Sequence, residues 1–300
     1  MFFTSVSLFL GAFFLSFVLF IPSVKLSRAV GAIDVPSARK SHEKPTERAG
    51  GAAFFVAFAV FVPLLPISNG GRSALIAGCA TIFFVGLLDD AISLSPFAKL
   101  CGQLAAVCVY YLAAIDTGGI ESLIQGTIML VWIVFITNAT NLVDGLDGLA
   151  GGIAGAESLC LAILALIFNN TDIFLCSLLL LSVILGFLPR NFPRAKIFMG
   201  DCGALFLGFT LGTLSSRLVF ESKSLLCFFS IMLIFRIPNF DTVQSFIRRA
   251  LARKNPFGAD LGHLHHRLIR LGFSKECAAM ALVTLSLLFG LIGILICFRG

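Results

Sequence analysis

The sequence predicts an all-α polytopic membrane protein of about ten transmembrane helices, with both termini on the outer side of the membrane. Three observations carry that expectation. Of the 300 residues, 58% are apolar and only 13% charged, with a mean hydropathy of +1.00, whereas soluble globular domains carry about 25% charge. Apolar runs follow one another along nearly the whole chain, and a run of about 17 to 25 residues crosses a bilayer as a helix. The basic residues sort to alternate connections, which orients the chain. A single integral-membrane domain, 1–300, accounts for the length. The net charge of +6 then belongs to orientation against membrane lipid, and no nucleic-acid partner is expected.

The first run, Phe2 to Leu26, has no positive charge before it and has Lys25 and Arg28 at its far end, the reverse of a cleaved signal. It is expected to stay as a first span with its N-terminus outside. Charges, Gly and Pro punctuate the remainder into spans near 50–67, 73–89, 97–115, 120–137, 149–168, 172–188, 203–219, 224–240 and 277–298. Loops 27–49, 90–96, 138–148, 189–202 and 241–276 then face the cytoplasm. Charge tests the assignment: of 22 Lys and Arg, only Arg72, Arg217, Lys223 and Arg299 fall outside, as the positive-inside bias requires. The nine cysteines form no CxxC pair and are read as small apolar residues.

Acidic residues sort too. Asp89, Asp90, Asp144, Asp147, Asp201, Asp241 and Asp260 fall at cytoplasmic ends or loops, while Asp116, Glu121, Asp172 and Glu221 fall outside. A transporter of an anionic or lipid-linked substrate, the rival class, would keep ionisable residues near the midplane on broken helices of repeated halves. Neither feature is expected here. Carboxylates gathered on one surface instead point to a divalent cation and a phosphorylated substrate.

Four segments carry that chemistry. Asp89 and Asp90 end the third span as adjacent carboxylates, which oppose each other and the negative end of their helix, so they need a cation. Lys99, at the start of the next span, can meet a phosphate as a point charge. The loop NATNLVDGLDGLAGG, 138–152, combines glycines that let backbone approach a ligand with Asn141, Asp144 and Asp147, oxygens of the kind magnesium selects. Asp201 opens the eighth span between Gly200 and Gly203, a poor lipid-facing choice and a good magnesium ligand. Finally, His263, His265 and His266 stand beside Arg267 and Arg270 with no Cys nearby, which fits a diphosphate better than zinc.

These segments, DDAISLSPFAKLCGQ, NATNLVDGLDGLAGG, FMGDCGALFLG and DTVQSFIRR…ADLGHLHHRL, with DVPSARKSHEKPTERAGG after the first span, resemble the polyprenyl-phosphate N-acetylhexosamine-1-phosphate transferases over nearly the whole chain. HLHHRL resembles the WecA-like and TagO-like branch. The resemblance implies a UDP-N-acetylhexosamine donor, with N-acetylglucosamine favoured, undecaprenyl phosphate as acceptor and UMP as by-product. It also implies magnesium, replaceable by manganese, a place in the bacterial inner membrane, and leaves a homodimer open. A CDP-alcohol phosphotransferase is disfavoured because its DGxxAR pattern is absent from the sequence that follows Gly148.

Carried over by position, Asp89, Asp90, Lys99 and Asp144 resemble the catalytic set, and Asn141 and Asp201 the magnesium ligands. Gly145 and Asp147 match the loop beside the nucleotide, and Phe198 resembles an aromatic against the uracil. His263, His265, His266 and Arg267 match the donor-binding motif. Glu47 and Ala204 depart from the usual Pro and Ser. A phosphate monoester is largely ionised near neutral pH, its second pKa being about 6, so direct in-line attack on the donor's β-phosphorus is the expected mechanism.

Overall fold

Hydrocarbon offers a peptide group no hydrogen-bond partner, so an apolar run must close its backbone bonds within a helix. In the computed structural model, which describes residues 2–34, 45–114, 123–252 and 262–299, the expected runs form helices within those residues. The helices are α1 Phe2–Val18, α2 Phe20–Val30, α3 Gly51–Phe61, α4 Asn69–Ile92, α5 Pro96–Ala114, α6 Leu123–Val143, α7 Leu149–Ile167, α8 Thr171–Asn191, α9 Gly200–Ser222, α10 Leu225–Ile234, α11 Arg236–Leu251, α12 Leu264–Arg270 and α13 Lys275–Arg299. The chain is a multi-pass, all-α membrane protein. Asp116, Glu121, Arg253, Lys254 and Asp260 lie outside the described residues.

Three of the ten expected spans are not single full-length helices. Among the described residues seven helices, α4 to α9 and α13, are long and apolar enough to cross a bilayer. The first and ninth segments are broken, α1 against α2 by 44° and α10 against α11 by 72°. Each break has a proline cause: Pro22 and Pro238 lack an N–H, and their rings clash with the carbonyl four residues back. Those carbonyls belong to Val18 and Ile234, the last residues of α1 and α10. The second segment, α3, has 11 residues and rises about 16 Å, extended only by a 3-10 turn at Val62–Leu64. Hydropathy runs on through all three places, so composition does not reveal them.

The centre of the bundle is α9, packed on α3, α4 and α6. Apolar area does little to drive helices together in lipid, so close backbone approach through small residues takes over. A Cβ at Gly208 of α9 would lie 2.6 Å from Thr137 Cα on α6, and one at Gly86 of α4 would lie 2.6 Å from the Asp201 carbonyl. The other half of the bundle joins α7 to α8 and α13. Glu157, at mid-length in α7, is fully buried, and neither carboxyl oxygen has a hydrogen-bond partner. It corrects the expectation that ionisable residues keep away from the midplane.

Two short strands, Ile33–Asp34 and Thr46–Glu47, pair antiparallel after α2. Phe198 N donates to the Glu47 carbonyl at 2.8 Å, Gly50 N to the Phe198 carbonyl at 3.0 Å and Gly51 N to the Met199 carbonyl at 2.8 Å. This lacing carries Arg48 to the start of α9.

Candidate active site

The C-termini of α4 and α6 and the N-termini of α5 and α9 meet at one end of the bundle, bringing together side chains that sequence spacing keeps far apart. Asp201, in the first turn of α9, is the hub. Its Oδ1 accepts a hydrogen bond from Asn141 Nδ2. Its Oδ2 lies 3.5 Å from both Lys99 Nζ and Arg48 Nη2, and the same Lys99 Nζ joins it to Asp89. Asp89 completes the cluster: Oδ2 is 2.5 Å from Lys99 Nζ and Oδ1 accepts from Leu94 N at 2.7 Å. The side chains of Asp201, Lys99 and Arg48 stay 18%, 20% and 30% exposed, so the cluster is open to a ligand.

Asp90 is turned differently. Its side chain is fully buried, with Oδ1 accepting from Asp201 N at 2.8 Å and Oδ2 from Cys202 N at 2.9 Å. It satisfies two of the amides that every helix leaves unpaired at its start. Asp90, grouped with the catalytic residues on sequence, has both carboxyl oxygens engaged by the start of α9. Gly200 makes this approach feasible: its φ is +73°, and a Cβ there would meet the Arg48 carbonyl and stand 2.5 Å from Asp90 Oδ2.

Arg48 was not singled out from the sequence. Its Nε lies 3.4 Å from Asp90 and its Nη1 4.0 Å from Asp34. Burial alone would lower its pKa, but Asp90, then Asp201, Asp34 and Asp144, outweigh that and hold the guanidinium above its usual value. The signal in the sequence was an arginine immediately before a run of small residues, AGGAA, which let backbone pack closely.

The loop after α6 lies beside this cluster. Asp144 is half-buried, and burial first, then Asp201, push its carboxyl up to about 7, with Arg48 opposing. Asp147 Oδ2 accepts from Ala195 N at 2.9 Å, and Asn191, also unremarked in the sequence, accepts from Gly148 N and donates to the Ile197 carbonyl, both at 3.0 Å. These bonds tie the glycine loop to the segment ending in half-buried Phe198. Gly145 is exposed, and a Cβ on it would fall 2.5 Å from His265 Nε2, so the histidine loop packs on the glycine loop.

The histidines have unequal surroundings. His263 and His265 are buried while His266 and Arg267 are half-buried. Burial, then His266 and His263, push His265 down to about 4, so its imidazole is neutral. Arg267 Nε donates to the Gly262 carbonyl at 2.9 Å.

The donor set fits a hard cation. Among the described residues no three His, Cys, Asp or Glu side chains form a ready cage. Magnesium, however, keeps several waters and takes one or two carboxylates plus substrate phosphates. Asp89 and Asp201 with the Asn141 amide match that requirement. A groove of about 400 Å³, mostly apolar, lies elsewhere, between α7, α8 and α13 at Gly152, Leu188 and Val283.

Residues 73–219, from α4 to α9, match Glycosyl transferase family 4. The chain is 34% identical over 287 residues, 92% of its length and 80% of the relative's, to a probable undecaprenyl-phosphate N-acetylglucosaminyl 1-phosphate transferase of Bacillus subtilis. It is 33% identical over 87% of its length and 81% of the relative's to the undecaprenyl-phosphate alpha-N-acetylglucosaminyl 1-phosphate transferase of Thermotoga maritima. It is 31% identical over 83% and 71% to the decaprenyl-phosphate N-acetylglucosaminephosphotransferase of Mycolicibacterium smegmatis. With these helices, this carboxylate cluster and these relatives, the chain belongs to glycosyl transferase family 4, among its polyprenyl-phosphate N-acetylhexosamine-1-phosphate transferases.

Proposed function

We propose that this protein transfers N-acetylglucosamine-1-phosphate from UDP-N-acetylglucosamine to undecaprenyl phosphate at the cytoplasmic face of the bacterial inner membrane, releasing UMP. The observation that carries the proposal is the Asp89–Lys99–Asp201–Arg48 cluster at one end of an apolar bundle, where a charged headgroup meets a soluble donor without entering hydrocarbon. The names of the relatives support the polyprenyl-phosphate acceptor and the N-acetylglucosamine-1-phosphate group; the UDP carrier is the expectation from the sequence resemblance. The positive-inside charge count supports the cytoplasmic side and the ten-segment topology, with the broken pairs each counted as one span.

The reaction brings two anions together, so charge neutralisation is the first demand. Lys99 and Arg48 are the cations placed for it: Lys99 between Asp89 and Asp201, Arg48 across Asp90 and Asp201. Asp89, Asp201 and Asn141 would hold magnesium, which when bound neutralises and polarises the donor diphosphate. An acceptor phosphate oxygen attacks the donor's sugar-bound phosphorus, a new P–O–P bond forms, and the bond to UMP breaks. Asp89 orients the acceptor through Lys99. His266 and Arg267 meet the donor phosphates, and Phe198 with Asp147 borders the base.

Purified protein with labelled UDP-sugars and undecaprenyl phosphate tests the proposal by release of UMP and formation of a lipid diphosphate, with and without a chelator. Lipid product from no UDP-N-acetylhexosamine would sink it. A transporter reading draws only on buried Glu157; a second midplane ionisable partner for it is not seen among the described residues.

A further inference from the structure

The three histidines share one turn of chain but not one role. Helix α11 is two-faced: Phe240, Val243 and Ile247 are exposed on one side, while Asp241, Ser245 and Arg249 are buried on the other. From that buried side Asp241 Oδ2 lies 2.8 Å from His263 Nδ1, and Oδ1 accepts from Leu264 N, the first residue of α12, at 2.8 Å. An ionised carboxylate only accepts, so His263 carries a proton on Nδ1. The His263 ring lies parallel to that of His265, 1° between planes and 5.8 Å between centroids. His265 in turn rests on Gly145. A continuous line of contacts therefore runs from α11 through His263 and His265 to the loop of Asp144 and Asp147, and His266 and Arg267 ride on the same short helix.

We infer that Asp241 and His263 are positioning residues for the donor: the carboxylate fixes the histidine's tautomer and the start of α12, and so aims His266 and Arg267. The inference rests on the donor reading above. Its physical basis is the role of an outer carboxylate in orienting an imidazole, whose loss costs about 10- to 100-fold at metal-bound histidines. Asp241→Asn keeps an oxygen for Leu264 N–H but offers the imidazole an amide donor where it had an acceptor. The ring then turns or exchanges tautomer, and the shift passes along the line of contacts to His265 and α12.

The test uses the full-length protein in nanodiscs, with Asp241→Asn, His263→Gln and the double variant. Nitrogen-15 NMR of labelled histidine, read without substrate, should give His263 protonated on Nδ1 in the wild type and altered in Asp241→Asn. Each single variant should raise the UDP-sugar KM about 10-fold or more while the acceptor KM and the magnesium requirement hold. Because the two residues act through one bond, the double variant should be no worse than the poorer single. An unchanged donor KM in folded Asp241→Asn, additive effects in the double, or an Nδ1 without its proton in the wild type would each overturn the inference. Failure of the donor reading looks different: the wild type itself would turn over no UDP-sugar, and the inference would fall with it.

Discussion

Asp90 accepts hydrogen bonds from the backbone N–H groups of Asp201 and Cys202, at 2.8 and 2.9 Å, so one carboxylate sets the start of the helix that carries another. Its neighbour Asp89 instead contacts Lys99, which joins it to Asp201. Successive residues at a helix end point about 100° apart, which sends one inward to the α9 backbone and leaves the other at the open cluster. Two aspartates that look equivalent in the sequence thereby have different duties.

Substituting Asp201→Asn should lower turnover about 100-fold or more, as loss of one preorganised electrostatic group does, with thermal unfolding little changed. Asp90→Asn should lower both, because an amide presents only one acceptor oxygen to two backbone donors. Turnover assays beside melting curves separate the two effects. Near wild-type, magnesium-dependent turnover in Asp201→Asn would remove that residue from the site.

Arg48→Lys keeps the charge but loses the fork that spans Asp90 at 3.4 Å and Asp201 at 3.5 Å. A lysine is a single point charge and cannot bridge both. Turnover should fall about 10-fold or more, within the range typical of supporting contacts at a site. Equal kinetics for Arg48→Lys and the wild type would show that charge alone suffices.

Gly200→Ala should lower both melting temperature and activity, and added magnesium should not restore them. A residue with a Cβ at φ +73° costs about 1 to 3 kcal/mol in strain, and here the new carbon also strikes the Arg48 carbonyl. An active, equally stable Gly200→Ala protein would mean that the Arg48 segment can move away without loss.

The raised carboxyl of Asp144 makes a pH prediction for the metal-free protein. From the ordinary value of 3.8 up to about 7, the folded chain keeps a proton that the unfolded chain releases. The folded form therefore binds more protons, and stability falls as pH rises through that window. Asp144→Asn should remove its part of the slope, so its melting temperature should drop less between pH 5 and pH 7.5 than that of the wild type, buffers chosen about those values. Parallel curves would contradict the assignment.

The sequence by itself determined which stretches become helices and which polar side chains gather, because both follow from local composition. An apolar run in lipid must be helical wherever it lies, and a cluster of Asp, Asn and Gly between such runs has no packing use. Asp89, Lys99, Asn141, Asp144 and Asp201 were legible for that reason. The proline positions also held the two helix breaks, although hydropathy masked them. Tertiary structure alone decided the rest, since a partner across 111 residues, as Asp90 has in Asp201, leaves no trace in either neighbourhood. It made Asp90 a cap, brought in Arg48 and Asn191, and turned His263 and His265 inward while leaving His266 half-buried. These outcomes depend on where helix ends stop in three dimensions, a long-range property that no window of composition contains.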